Sequence, residues 1–102
     1  MVENHWTLTK YLSRTTIDAA AAGLQLMDWI AAIDENISYN LTNGRIQFKA
    51  KKPFCTLHPH SDAITCHIHT NGHSQSMQLI HLSDLNETVQ QQINQAYRYA
   101  CS

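Results

Sequence analysis

No stretch of this 102-residue chain approaches the roughly 20 consecutive apolar residues that a membrane-spanning helix requires, so no membrane helix is expected. Its first residues, Met1-Val-Glu-Asn-His-Trp, carry neither the basic nor the apolar region of a secretory signal, and the cytoplasm is the expected compartment. The three cysteines, Cys55, Cys66 and Cys101, form an odd set without a Cys-x-x-Cys pair. Without an export signal they read as reduced thiols, although Cys55 and Cys66 could meet across a hairpin. Charge of one sign is also missing: the formal net charge is −1, so no global field draws the chain to nucleic acid or to an acidic membrane. There is no glycine loop of the kind that cradles phosphate, no pair of carboxylates in a plausible cleft and no metalloprotease helix motif. Catalysis is accordingly not expected. No low-complexity linker divides the sequence, and its length suits one domain over residues 1–102.

What is present reads as helix, sheet, helix. Residues 1–15 form an N-terminal segment in which Trp6 and Tyr11 could lie over a sheet or stay exposed. A helix is predicted over 16–34: Thr15 or Thr16 can cap it, Asp18 suits its first turn, and four alanines favour it. Ile17, Ala20, Ala21, Leu24, Met27 and Ala31 follow steps of three and four, with Leu26, Trp29, Ile30 and Ile33 widening the apolar face and Gly23 a local weakness. From 37 to 82 the pattern is that of strands. Ile37, Tyr39 and Leu41 alternate with polar residues, Asn43-Gly44 signals a tight hairpin, and Arg45-Ile-Gln-Phe-Lys49 alternates again. Short strands follow at Phe54–His58 and Ala63–His69; Asn71-Gly72-His-Ser breaks the pattern, and a last strand runs from Met77 to Leu82. A second helix over 84–100 opens at Ser83-Asp84, with Glu87 in capping-box position and Leu85, Val89, Ile93, Ala96, Tyr97 and Ala100 as its apolar stripe. The fold class is α+β: an antiparallel meander of about five strands covered on one face by two helices.

The chemistry concentrates between Phe54 and His69, which hold Cys55, Cys66, His58, His60, His67 and His69. Imidazole and thiolate bind transition metals and titrate near neutrality. Alternation divides the strand at Ile64–His69: Ile64, Cys66 and Ile68 on one face, Thr65, His67 and His69 on the other. Cys66 and His67 therefore cannot act together as nucleophile and base. If the isoleucines meet the helices, His67 and His69 stand on the open face, with Thr56 and His58 beside them. Three imidazoles, His58, His67 and His69, could then bind Zn²⁺ or Ni²⁺, although the spacing matches no zinc-finger or ribbon pattern. The cofactor expectation is otherwise none. The one basic concentration is Arg45, Lys49, Lys51 and Lys52. Arg45, Gln47 and Lys49 share a strand face and run on into the Lys51-Lys52 turn. With His67 and His69 they form a candidate platform for phosphate or single-stranded nucleic acid, or simply a solvated edge with lysine gatekeepers.

The order of these pieces resembles a small bacterial domain family often labelled "predicted transport protein", whose members stand alone or are appended to other modules, including restriction-type nuclease domains. The matching features are the alanine- and leucine-rich helix, Arg45-Ile-Gln-Phe48, Phe54-Cys-Thr-Leu-His-Pro59, the strand at Ala63–Ile68, Gln78-Leu-Ile-His-Leu82, Asp84-Leu85 and the helix ending Gln95-Ala-Tyr97. The likeness covers roughly residues 17 to 100. It implies a bacterial accessory module and supplies no catalytic residues to carry over. The histidines from His58 to His73 depart from the basic or apolar residues usual in that hairpin, so a metal role would belong to this chain alone. Two functions follow as expectations. The first is a non-enzymatic binding module acting through protein contact or self-association, as a homodimer, on the open sheet face. The alternative is a ligand-binding module for a metal ion, phosphate or nucleic acid on the same face.

Overall fold

A computed structural model describes residues 15–42, 44–70 and 72–101. Trp6, Tyr11, Asn43 and Asn71, named above, lie outside the described residues. The chain runs α1 (Ile17–Ile33), β1 (Ser38–Thr42), β2 (Arg45–Lys49), β3 (Pro53–Pro59), β4 (Ile64–Thr70), β5 (His73–Leu79), a 3-10 turn (Leu82–Asp84) and α2 (Glu87–Cys101). The strands form one antiparallel meander in the order β1-β2-β3-β4-β5. The expected α+β class holds, with helix α2 packed over β3 and β4, and α1 against β4, β5 and the 3-10 turn.

Helix α1 starts at Thr16, whose Oγ1 accepts the Ala19 N–H at 3.1 Å. The face it buries differs from the expected one. Ala19, Ala22, Gly23, Leu26, Met27 and Ile30 turn inward, whereas Ile17 is 88 % exposed and Ala21 and Ala31 face out. A helix apolar on nearly every side offers several stripes at steps of three and four, and tertiary packing chose the one with small residues at its start. Gly23 therefore lies in the packed face rather than marking a weak exposed turn.

Helix α2 begins later than its capping pattern suggested. Asp84 ends the 3-10 turn, and its Oδ2 accepts the backbone N–H groups of Ile80 and His81 at 2.8 and 3.0 Å. The helix is instead capped by Asn86, whose Oδ1 accepts from Val89 N–H at 3.0 Å. Val89, Ile93, Ala96 and Ala100 form its buried stripe, as their spacing predicts. Tyr97 joins the two helices: its hydroxyl donates to Asp34 Oδ2 at 2.5 Å, just beyond the end of α1.

The last strand is also displaced. It occupies His73–Leu79, starting directly after Gly72, and Ile80 to Leu82 lie outside it. Gly72 has φ +76°, the positive φ that tight-hairpin chemistry requires. The alternation was hidden because β5 is polar on both faces from His73 to Ser76, and only Met77 and Leu79 turn apolar side chains to the core. Strand β3 hides its alternation in the opposite way, since Phe54, Cys55, Thr56 and Leu57 are all buried. A register irregularity between Phe48 and Lys49 opposes the start of β3. There Phe54 packs into the core with its ring edge-on to Tyr97 at 5.9 Å. The core lies between sheet and helices and includes Ile46, Phe48, Leu57, Ile64, Ile68 and Leu79 with the inward faces of α1 and α2.

Candidate functional site on the open sheet face

The register fixes what the face away from the helices carries. Tyr39, Ile46, Phe48, Cys55, Leu57, Ile64, Cys66, Ile68 and Leu79 belong to the core cluster or pack against it. The intervening side chains point the other way. Two rows cross this open face. In one, Asn40, Gln47, Thr56, His67 and Ser76 are successive cross-strand partners; in the other, His58, Thr65 and Gln78 are. Arg45 falls at the β2 end of the second row, His69 pairs with Ser74, and Lys49 lies opposite Ser38. The sequence-derived assignments of Arg45, Lys49, His58, His67 and His69 to one face agree with this pairing.

Among the described residues the open face carries no aspartate, no glutamate and no large hydrocarbon side chain. The acids lie elsewhere: Asp18 and Asp28 on α1, Asp34 and Glu35 just after it, Asp84 in the 3-10 turn, Glu87 at the start of α2, and Asp62 in the β3–β4 turn. Among the described residues the signs are thus segregated, with the helix layer acidic and the sheet face basic.

Hydrogen bonds order the face. His67 Nδ1 lies 2.7 Å from Ser76 Oγ, and His69 Nδ1 lies 3.3 Å from Ser74 Oγ. Thr65 Oγ1 lies 2.9 Å from His60 Nε2 and accepts from Gln78 Nε2 at 3.1 Å. Where a serine hydroxyl donates to Nδ1, the proton of the neutral ring stands on Nε2, leaving an outward donor. The His58 ring lies 4.5 Å, centroid to centroid, from that of His60. Desolvation holds the His58 imidazole below its usual range, and the neighbouring charges of His60, Arg45 and His67 add to the effect. Lys51 and Lys52 are exposed in the β2–β3 turn, where Lys52 Nζ stands 4.6 Å over the centre of the Tyr99 ring.

No group of three His, Cys, Asp or Glu that could hold a metal ion occurs among the described residues. His67 and His69 are each engaged at Nδ1 with a serine, and His58 sits against His60. Cys55 and Cys66 lie on the opposite, buried face with their Sγ atoms 3.9 Å apart, both as free thiols. Burial and the mutual hydrogen bond push the Cys55 thiol well up from its ordinary value, the bond to Cys66 being the larger cause.

Sequence reasoning missed Ser74, Ser76 and Tyr99. The two serines belong to a strand whose alternation was invisible; the signal that could have found them was the hairpin turn at Asn71-Gly72, which sets His69 opposite Ser74 and His67 opposite Ser76. Tyr99 reaches the site only because Lys52 N–H bonds to Ala100 carbonyl oxygen at 3.2 Å, fixing the end of α2 beside the β2–β3 turn.

No family model matches this chain, and no curated protein or solved structure matches it either.

Proposed function

We propose that this chain is a non-enzymatic module that binds the phosphate backbone of a single-stranded nucleic acid across its open sheet face, without reading bases. One observation carries the reading: a five-stranded face that presents cations, amides, hydroxyls and imidazoles with no carboxylate among the described residues. Phosphate oxygens are contacted by Arg, Lys, Ser, Thr, Asn and Gln side chains, and these types, with histidine, make up the face. A specific protein interface is centred on aromatic or aliphatic anchors, and among the described residues this face carries none, so the phosphate reading is favoured over protein contact there. Among the described residues the face also carries no stacking aromatics of the kind found in tight single-strand binders. Binding is therefore weak, salt-sensitive and indifferent to sequence.

With four cations at Arg45, Lys49, Lys51 and Lys52, log K against log salt falls with a slope of about −3 on single strands, and each lysine removed lowers its magnitude by about 0.7. Fluorescence anisotropy of a labelled oligothymidylate at low salt measures this. Binding should also tighten as the pH falls far enough for His58, held below the ordinary imidazole range, to gain its charge. Absence of binding at low salt, or binding unaltered by neutralising Lys49, Lys51 and Lys52, would end the reading.

Self-association remains a second reading on a separate observation. Among the described residues β5 is an outer strand of seven residues that pairs with β4 without a register break and carries no Lys, Arg, Asp, Glu or Pro. Such an edge lacks the devices that discourage strand-to-strand pairing. Light scattering should show a dimer at high concentration that Gln75→Lys returns to monomer; a monomer throughout rules it out.

A further inference from the structure

The open face ends in a cleft between the β2–β3 turn, the β4–β5 hairpin and the last turn of α2. Gln47, Lys52, His69, His73, Ser74 and Tyr99 line it, and it offers about 640 Å³, room for a phosphate and its sugar. We infer that this cleft holds the terminal phosphate monoester of the strand whose backbone lies on the sheet, an inference that rests on the reading above.

Three features of the geometry argue for a monoester end here. The first is charge. A terminal monoester carries about −1.5 to −2 near neutrality, more than a backbone diester, and the cleft brings an ammonium and two imidazole rings together with no carboxylate among the described residues that line it. The second is preorganisation. Lys52 is tied twice to α2, by its N–H on Ala100 carbonyl oxygen at 3.2 Å and by its ammonium over the Tyr99 ring at 4.6 Å. That ammonium also offsets the negative carbonyl end of the helix, which would otherwise oppose an anion. Ser74 Oγ, 3.3 Å from His69 Nδ1, orients that ring as it does in the rows of the face. The third is shape. The flat face sets one layer of side chains beneath a phosphate, whereas the open cleft sets side chains from the β2–β3 turn, the β4–β5 hairpin and α2 around one. Gly72, at φ +76° with nothing within 4 Å of its missing Cβ, leaves the mouth open.

The test compares oligothymidylates of about eight nucleotides bearing a 5′-phosphate, a 3′-phosphate or hydroxyls at both ends, by anisotropy at fixed low salt. One phosphorylated end should bind about two- to five-fold tighter than the unphosphorylated strand, the worth of one exposed charge contact. Lys52→Ala should erase that ratio, and His73→Ala should reduce it. Lys49→Ala, on the flat face, should weaken all three strands by the same factor and preserve the ratio. Circular dichroism confirms that each variant keeps its fold. Equal binding of all three strands by the unaltered protein overturns the cleft assignment and leaves the backbone reading standing. So does a ratio that survives Lys52→Ala. Failure of every strand to bind overturns both.

Discussion

Replacing Phe54 with alanine separates the structure from the simplest reading of the strand that contains it. Strict alternation from Cys55 and Leu57 sends Phe54 to the open face with Thr56 and His58, where removal of a phenyl ring would alter stability by no more than about 0.5 kcal/mol. The structure instead buries Phe54 completely, edge-on to Tyr97 at 5.9 Å and 77°. Emptying such a site costs about 3–5 kcal/mol through lost transfer energy and the void left behind. A domain of this size has about 5–15 kcal/mol in total, so the variant should be marginal. Each kcal/mol corresponds to roughly 4–8 °C in a domain of this length, and the melting temperature should fall by at least about 12 °C. Urea titration followed by far-ultraviolet circular dichroism measures the loss directly, with the slope expected to stay unaltered. Phe54→Leu, which retains most of the volume, should cost clearly less. A loss below about 1 kcal/mol for Phe54→Ala would place the ring in solvent and refute the packing of β3 against α2.

Two further predictions concern the layer between the helices. Asp34 is held below the ordinary carboxylate range by the Tyr97 hydroxyl first and the Asn36 N–H second, and Tyr97 is raised in turn by Asp34. A carboxylate lowered in the folded state contributes stability above its unfolded value near 3.8 that is lost as the pH falls through the folded one. A raised phenol contributes below its unfolded value near 10 and loses that contribution at higher pH. Tyr97→Phe should therefore lower the melting temperature between about pH 5 and 9 and approach the parent protein below about pH 3; a deficit independent of pH would contradict the pairing. Cys55 and Cys66 are fully buried, whereas Cys101 is partly exposed, so a colourless-to-coloured disulfide reagent at about pH 8 should titrate Cys101 first. The other two should react about four decades more slowly, through unfolding at a cost of roughly 5 kcal/mol, and prompt reaction of all three thiols would show the sheet–helix layer to be open.

The parts of this molecule that could be read from its residues were those with local causes. The alternation of Arg45–Lys49 and Ile64–His69 decided which side chains share a face, because successive strand residues must point to opposite sides. That alone separated Cys66 from His67 and put His58, His67 and His69 with Arg45 and Lys49. The stripe of α2 was equally plain, since its apolar residues stand against glutamine and other polar neighbours. Where the pattern was uniform it decided nothing. Helix α1, apolar on most sides, gave no preference between the stripe through Ile17 and the one through Ala19. Strand β5, polar on most positions, looked like a broken loop until its pairing with β4 was known.

Composition and periodicity by themselves determined the class, the meander and the sidedness of the histidines, because each depends on neighbours a few residues apart. Only the tertiary structure decided that Phe54 turns inward, that Ser74 and Ser76 hold His69 and His67, and that the acids among the described residues lie off the open sheet face. Lys52 and Tyr99 are separated in sequence by most of β3, β4, β5 and α2, and meet because Lys52 N–H bonds to Ala100 at the end of the helix. Contacts of that range depend on how whole layers pack, and no local periodicity records them.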